Sequence, residues 1–102
     1  MFTRGGFEDQ HVTTCYPLLA VYLIDEAEET QMLVSVPKKA FKHAVDRNRI
    51  KRQVREAYRL NKEILSSTKK LSIAFIWMPK EHMPSEKVNK AMKKILKHIN
   101  NE

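Results

Sequence analysis

Nine side chains between Lys38 and Arg59 are basic (Lys38, Lys39, Lys42, Arg47, Arg49, Lys51, Arg52, Arg55 and Arg59), and only Asp46 and Glu56 are acidic. The difference equals the whole formal net charge of +7 on this 102-residue chain, so the rest of the molecule is balanced. The segment also holds five of the six arginines, whose guanidinium forks suit bidentate contact with phosphates and base edges. Read as a helix, it gathers Asn48, Lys51, Arg52, Arg55, Arg59 and Lys62 into a sector about 100° wide. From Arg47 to Arg59 that ridge runs on the order of 18 Å, long enough for several phosphates at once. A solvated helix face ordinarily mixes charge signs at i,i+4. Here Lys51, Arg55 and Arg59 are like charges at that spacing and repel one another. An anion laid along them relieves that repulsion, so the chemistry on offer is recognition of a nucleic-acid backbone. Charge alone does not separate RNA from DNA.

Catalytic patterns are missing from the sequence. Two glycines, Gly5 and Gly6, cannot build a phosphate-cradling loop. His11, His43, His82 and His98 stand apart without metal-ligand spacing, and no serine lies in a nucleophile elbow. Cys15 is the single cysteine, which excludes an internal disulfide and a thiolate-rich metal site, and it reads as a small packed hydrophobe. The expectation is a protein with no catalytic residue and no metal site of its own. Lys87, Lys90, Lys93, Lys94 and Lys97 read as a solvated face, with a peripheral nucleic-acid contact as the alternative. The longest apolar run, Leu18–Ile24, falls far short of the roughly 18 residues of a membrane span. The first residues lack the features of a secretory signal. A cytoplasmic protein with no membrane partner and no obligate protein partner is expected.

The elements that must position the ridge follow from periodicity. Val12–Tyr16 reads as a short strand stopped by Pro17. Leu18–Ile24, apolar at alternate and intervening positions, reads as a strand covered on both faces. The acidic run Asp25, Glu26, Glu28 and Glu29 reads as a hairpin connection. Met32–Val36 follows, with Met32, Val34 and Val36 on one face. Phe41–Ser66 lacks Gly and Pro and reads as one long helix, its apolar stripe formed by Ile50, Val54, Ala57, Tyr58, Ile64 and Leu65. Leu71–Met78 alternates as a strand with Leu71, Ile73, Phe75 and Trp77 together. Ser85 is placed to cap a last helix whose seam is Val88, Ala91, Met92, Ile95, Leu96 and Ile99. The order β-β-β-α-β-α describes one α+β domain over residues 1–102, a four-stranded sheet packed with two helices.

Val36-Pro37-Lys38-Lys39, followed by the unbroken run Ala44-Val45-Asp46-Arg47-Asn48-Arg49-Ile50-Lys51-Arg52-Gln53-Val54-Arg55-Glu56-Ala57-Tyr58-Arg59, closely resembles the protein component of bacterial ribonuclease P. That family carries a strand ending in Lys-Lys and a helix with Ala-Val-x-Arg-Asn-Arg-x-Lys-Arg-x-x-Arg-Glu. The resemblance implies a mixed sheet with a left-handed crossover through the long helix. It also implies an RNA-binding subunit of a tRNA-processing ribonucleoprotein. In that family the RNA subunit is the endonuclease, a hydrolase that removes the 5′ leader of precursor tRNA with magnesium, and the protein contributes no active site. Its partners would be ribonuclease P RNA and the leader. Carried over onto this chain, the RNA contacts are Lys38, Lys39, Arg47, Asn48, Arg49, Lys51, Arg52, Arg55 and Arg59. Tyr22 and Phe75 are candidates for stacking on leader bases, against core packing as the competing role. Magnesium would belong to the catalytic RNA.

Pro37 departs from the Ser that many members carry before the Lys pair. Phe2-Thr3-Arg4-Gly5-Gly6 resembles only the last turn of the family's first helix, so a leader cleft open on one side is expected. The competing reading of the same ridge is a basic nucleic-acid-binding module, ribosome-associated or DNA-binding, without enzyme association.

Overall fold

A computed structural model of the chain describes residues 11–24, 29–65 and 70–101. The helix remnant expected at Phe2–Gly6, the acidic run Asp25–Glu28 and the helix end expected at Ser66 lie outside the described residues. The elements are β1 (His11–Cys15), β2 (Leu18–Ile24), β3 (Gln31–Ser35), α1 (Ala44–Asn61), β4 (Leu71–Trp77) and α2 (Ser85–Asn100), with a 3-10 turn at Lys62–Ile64. β1 and β3 each begin one residue earlier than periodicity places them. None of the described helices is long and apolar enough to cross a membrane.

The strands form one mixed sheet in the order β1-β2-β4-β3. β2 runs antiparallel to β1 and to β4, while β3 and β4 are parallel neighbours joined through α1. Pro17 has no N–H to give a ladder, so it sits with Tyr16 in the two-residue turn between the paired Cys15 and Leu18, after a cis peptide bond. Its carbonyl accepts the N–H of Met78 at 3.0 Å, which ties that turn to the end of β4.

One face of the sheet carries the core. Leu18, Ala20 and Tyr22 of β2 lie beside Trp77, Phe75 and Ile73 of β4, and all are buried. Val34 joins them from β3, with Val36 just beyond its end. Both helices pack onto this face and against each other. The expectation that β2 is covered equally on both sides is therefore corrected. Leu19 and Val21, on the other face, are half-exposed, although Leu23 there is buried. Both α1 and α2 lie on one side of the sheet, and among the described residues no helix covers the other side.

α2 buries all six residues of its seam, Val88, Ala91, Met92, Ile95, Leu96 and Ile99. It begins differently from expectation. Ser85 is already helical, and Pro84 precedes the first turn with its carbonyl accepting the N–H groups of Lys87 (3.1 Å) and Val88 (3.2 Å). The Ser85 hydroxyl is spent elsewhere, as an acceptor for Gln53.

α1 is shorter than the Gly- and Pro-free run suggests. Phe41 is drawn into the core, and the chain before it folds into a turn in which Pro37 O accepts the N–H of Ala40 (3.1 Å) and Phe41 (3.3 Å). The helix can start only after that anchor, at Ala44. Ile50, Val54 and Ala57 form its buried stripe, with Tyr58, Ile64 and Leu65 partly buried against the same cluster. The stripe also includes Asn61, a polar residue that periodicity omits. Its amide nitrogen donates to Ala57 O one turn back at 2.8 Å, which satisfies the donor within the helix.

Tyr58 packs near Phe75, ring centres 6.1 Å apart, and burial raises its pKa above the ordinary tyrosine value. The unfolded chain then loses this proton first, near pH 10, so it binds fewer protons than the folded one and stability falls as pH rises past that point. The denaturation midpoint should drop more steeply between pH 9 and pH 11 in the unaltered chain than in Tyr58→Phe. Equal slopes would assign the alkaline loss to other groups.

Candidate nucleic-acid interface

α1 holds 18 residues and so extends about 27 Å, crossing the sheet with its stripe inward and its cations outward. Asn48, Arg49, Arg52 and Arg55 are exposed, and Lys51 is half-buried at the flank. Among the described residues Arg49, Lys51, Arg52 and Arg55 have no ion-pair partner. Asn48, Arg52, Arg55 and Arg59, with Glu56, line one surface hollow of about 390 Å³. Lys38 and Lys39 are exposed in the turn that feeds α1, which extends the basic surface beyond the helix N-terminus. The five lysines of α2 are exposed as well.

Two arginines of the motif are occupied within the protein. Arg47 is half-buried, and its guanidinium donates to Phe41 O at 2.8 Å and to Lys42 O at 3.0 Å. It therefore clamps the turn that carries Lys38, Lys39 and Lys42 onto the first turn of α1. Arg59 Nε donates to Glu56 Oε1 at 2.8 Å, and Arg59 Nη2 pairs with the same oxygen. That hydrogen bond, then the carboxylate's charge, raises the Arg59 pKa further. Arg59 is exposed and always charged, yet its field is partly cancelled by Glu56. The freely available cations of α1 are Arg49, Lys51, Arg52 and Arg55.

The two aromatic candidates do not belong to this surface. Tyr22 and Phe75 have no exposed area and lie on the helix-covered face of the sheet. Tyr22 stacks on His11 with ring centres 5.2 Å apart, and Phe75 meets Tyr58. Neither ring can stack on a base, because the faces a base would need are covered by protein. The register decides this: Phe75 pairs with Ala20 and Tyr22 with Ile73, all pointing into the core.

Tertiary packing adds residues that no motif marks. Gln53 Nε2 donates to Met83 O at 2.8 Å and to Ser85 Oγ at 3.2 Å, fastening α1 to the segment that leads into α2. His82 lies 3.2 Å from Asp46 and packs its ring on Phe41, ring centres 5.0 Å apart. A second hollow, of about 470 Å³, opens between α1 and this segment, with Arg49 and Arg52 on its rim. Gln53 and Ser85 are 32 positions apart, a separation that local spacing does not reveal.

The molecule is thus a small α+β sandwich displaying one cationic helix, with no group of three or more His, Cys, Asp or Glu side chains suited to a metal ion among the described residues. Residues 7–100 match the sequence profile of the Ribonuclease P family, and the chain belongs to that protein family. A relative from Porphyromonas gingivalis, named ribonuclease P protein component, is 45% identical over 92 residues, which cover 82% of this chain and 67% of the relative. The solved RNase P protein of Thermotoga maritima superposes with a TM-score of 0.76 at 23% identity, covering 90% of this chain and 86% of that one. The Staphylococcus aureus RNase P protein gives 0.72 at 22% identity, over 97% and 93% of the two chains. The two structures share its fold.

Proposed function

We propose that this chain is the RNA-binding subunit of ribonuclease P, working in the cytoplasm, where it assists a catalytic RNA in removing the 5′ leader from precursor tRNA. The observation that carries this reading is the match to the family over residues 7–100, joined to a helix whose free cations all face outward. On this reading Arg49, Lys51, Arg52 and Arg55 contact phosphates of the ribonuclease P RNA, with Asn48 beside them. Lys38 and Lys39 extend the contact from the preceding turn. Arg47 acts by holding that turn, and Arg59 acts as a cation tempered by Glu56.

The leader would lie across the sheet face turned away from the helices, where Val12, Leu19, Val21, Leu33 and Ile76 are exposed or half-exposed. Tyr22 and Phe75 would support that floor from beneath. Guanidinium and ammonium groups donate hydrogen bonds and do not ligate cations, so magnesium in the complex would be held by RNA oxygens. The protein lowers the magnesium requirement by screening phosphate repulsion where RNA and leader converge.

The expected result is that ribonuclease P RNA with this chain cleaves precursor tRNA at a magnesium concentration where the RNA alone is nearly inactive, by at least about tenfold. No stimulation, together with equal affinity for an unrelated RNA and for duplex DNA, would instead identify a general nucleic-acid-binding module.

A further inference from the structure

The hollow between α1 and the start of α2 has walls of different chemistry. Arg49 and Arg52 stand at its mouth, exposed and unpaired among the described residues. Leu60 and Met83 give it apolar sides, and Leu60 is 58% exposed in spite of its size. Asn89 of α2 also lines it, and its Oδ1 is buried without a hydrogen-bond partner. A buried carbonyl oxygen left without a donor is costly and is uncommon in folded proteins. Glu56 reaches the same hollow, but its Oε1 is held by Arg59. The Gln53 bonds to Met83 and Ser85 fix the separation of the two walls, so the space exists before anything enters it.

We infer that this hollow receives one unstacked nucleotide of the bound RNA. Its volume of about 470 Å³ falls within the roughly 300–1,000 Å³ of ordinary small-ligand sites. The phosphate lies between Arg49 and Arg52, the base enters between Leu60 and Met83, and the Asn89 side chain turns so that its covered Oδ1 accepts a base N–H. Every base carries such a donor on its pairing edge, and single-stranded RNA is read through bases splayed out of the stack. A simple phosphate-binding ridge needs neither the apolar walls nor the acceptor, whereas a nucleotide uses all three. The inference rests on the RNA-binding reading above and adds a base to what is there a backbone contact.

Asn89→Leu and Leu60→Ser test it without altering charge. Asn89→Leu removes an unsatisfied oxygen, so its melting temperature should equal or exceed that of the unaltered chain. Its affinity for ribonuclease P RNA should nevertheless fall about tenfold, and that of Leu60→Ser about threefold. Chemical probing of the RNA should find one unpaired base whose pairing edge is protected by the unaltered chain and reactive again with Asn89→Leu. Unchanged affinity and an unchanged protection pattern in both variants would overturn the nucleotide site while leaving the ribonuclease P assignment intact. Failure of the unaltered chain to bind this RNA would overturn the assignment instead. The hollow is then decided with a single-stranded hexanucleotide and its abasic counterpart. Tighter binding of the complete strand, lost in Asn89→Leu, supports the site, and equal binding of the two strands rejects it.

Discussion

Replacing Arg52 and Arg55 together by glutamate should weaken binding of ribonuclease P RNA by at least about a hundredfold at moderate salt. A hydrogen bond to a charged group contributes about 1.5–3 kcal/mol, so two lost contacts amount to about 3 kcal/mol, and tenfold in affinity corresponds to about 1.4 kcal/mol. The added carboxylates repel phosphate and deepen the loss. Both arginines are exposed and unpaired among the described residues, so the melting temperature should stay within a few degrees of the unaltered chain. A fold change from damage and a loss of binding are thereby separated. The salt dependence supplies a second readout. If about five phosphates of a single strand are neutralised, the log–log slope is about −3.5, or roughly a hundredfold between 50 and 200 mM salt. The double variant should lose about 1.4 from that slope, two contacts at about 0.7 each. Lys90→Glu/Lys94→Glu makes the same charge change on α2 and should cost less than about tenfold. Equal losses from the two pairs would show that net charge, and not the α1 surface, governs binding.

The same motif contains residues whose roles differ for reasons outside it. Spacing sets Arg47 apart from Arg52, Arg55 and Arg59: at 100° per residue it falls outside their sector and level with Val54 and Tyr58 of the apolar stripe. What gives Arg47 hydrogen-bond partners on that inner side is Phe41. Once that ring is drawn into the core, two carbonyls, those of Phe41 and Lys42, are left beside the first turn of α1, and Arg47 satisfies them. Periodicity places Arg47 toward the inner side of the helix, but the tertiary anchor that supplies its two acceptors leaves no mark in the spacing. The apolar seam of α2 was fully legible because six residues at three- and four-residue spacing bury only one way. β2 was less legible. An all-apolar strand is compatible with cover on either side, and the second layer is set by where both helices pack. The hollow between the helices was not legible at all, since Gln53, Met83 and Asn89 meet only after α1 and α2 dock.

Phe75 tests how far the core and the RNA surface are separate. Phe75→Ala should destabilise the chain by about 3–5 kcal/mol, because it removes a fully buried ring among Ala20, Tyr58 and the sheet-facing helix residues. At about 4–8 °C per kcal/mol for a domain of this size, the melting temperature should fall by more than about 12 °C. Phe75→Leu keeps most of the volume and all of the apolar character, so it should cost less than about 2 kcal/mol. A base stacked on an aromatic ring contributes about 1–3 kcal/mol, so a stacking role would show as a fivefold or greater loss of leader affinity in Phe75→Leu at nearly unchanged stability. The structure predicts the reverse pairing. Leader affinity, measured well below the melting temperature, should stay within about twofold in Phe75→Leu while stability falls modestly. The ring lies beneath the sheet surface, where it holds β4 in place and can touch no base itself.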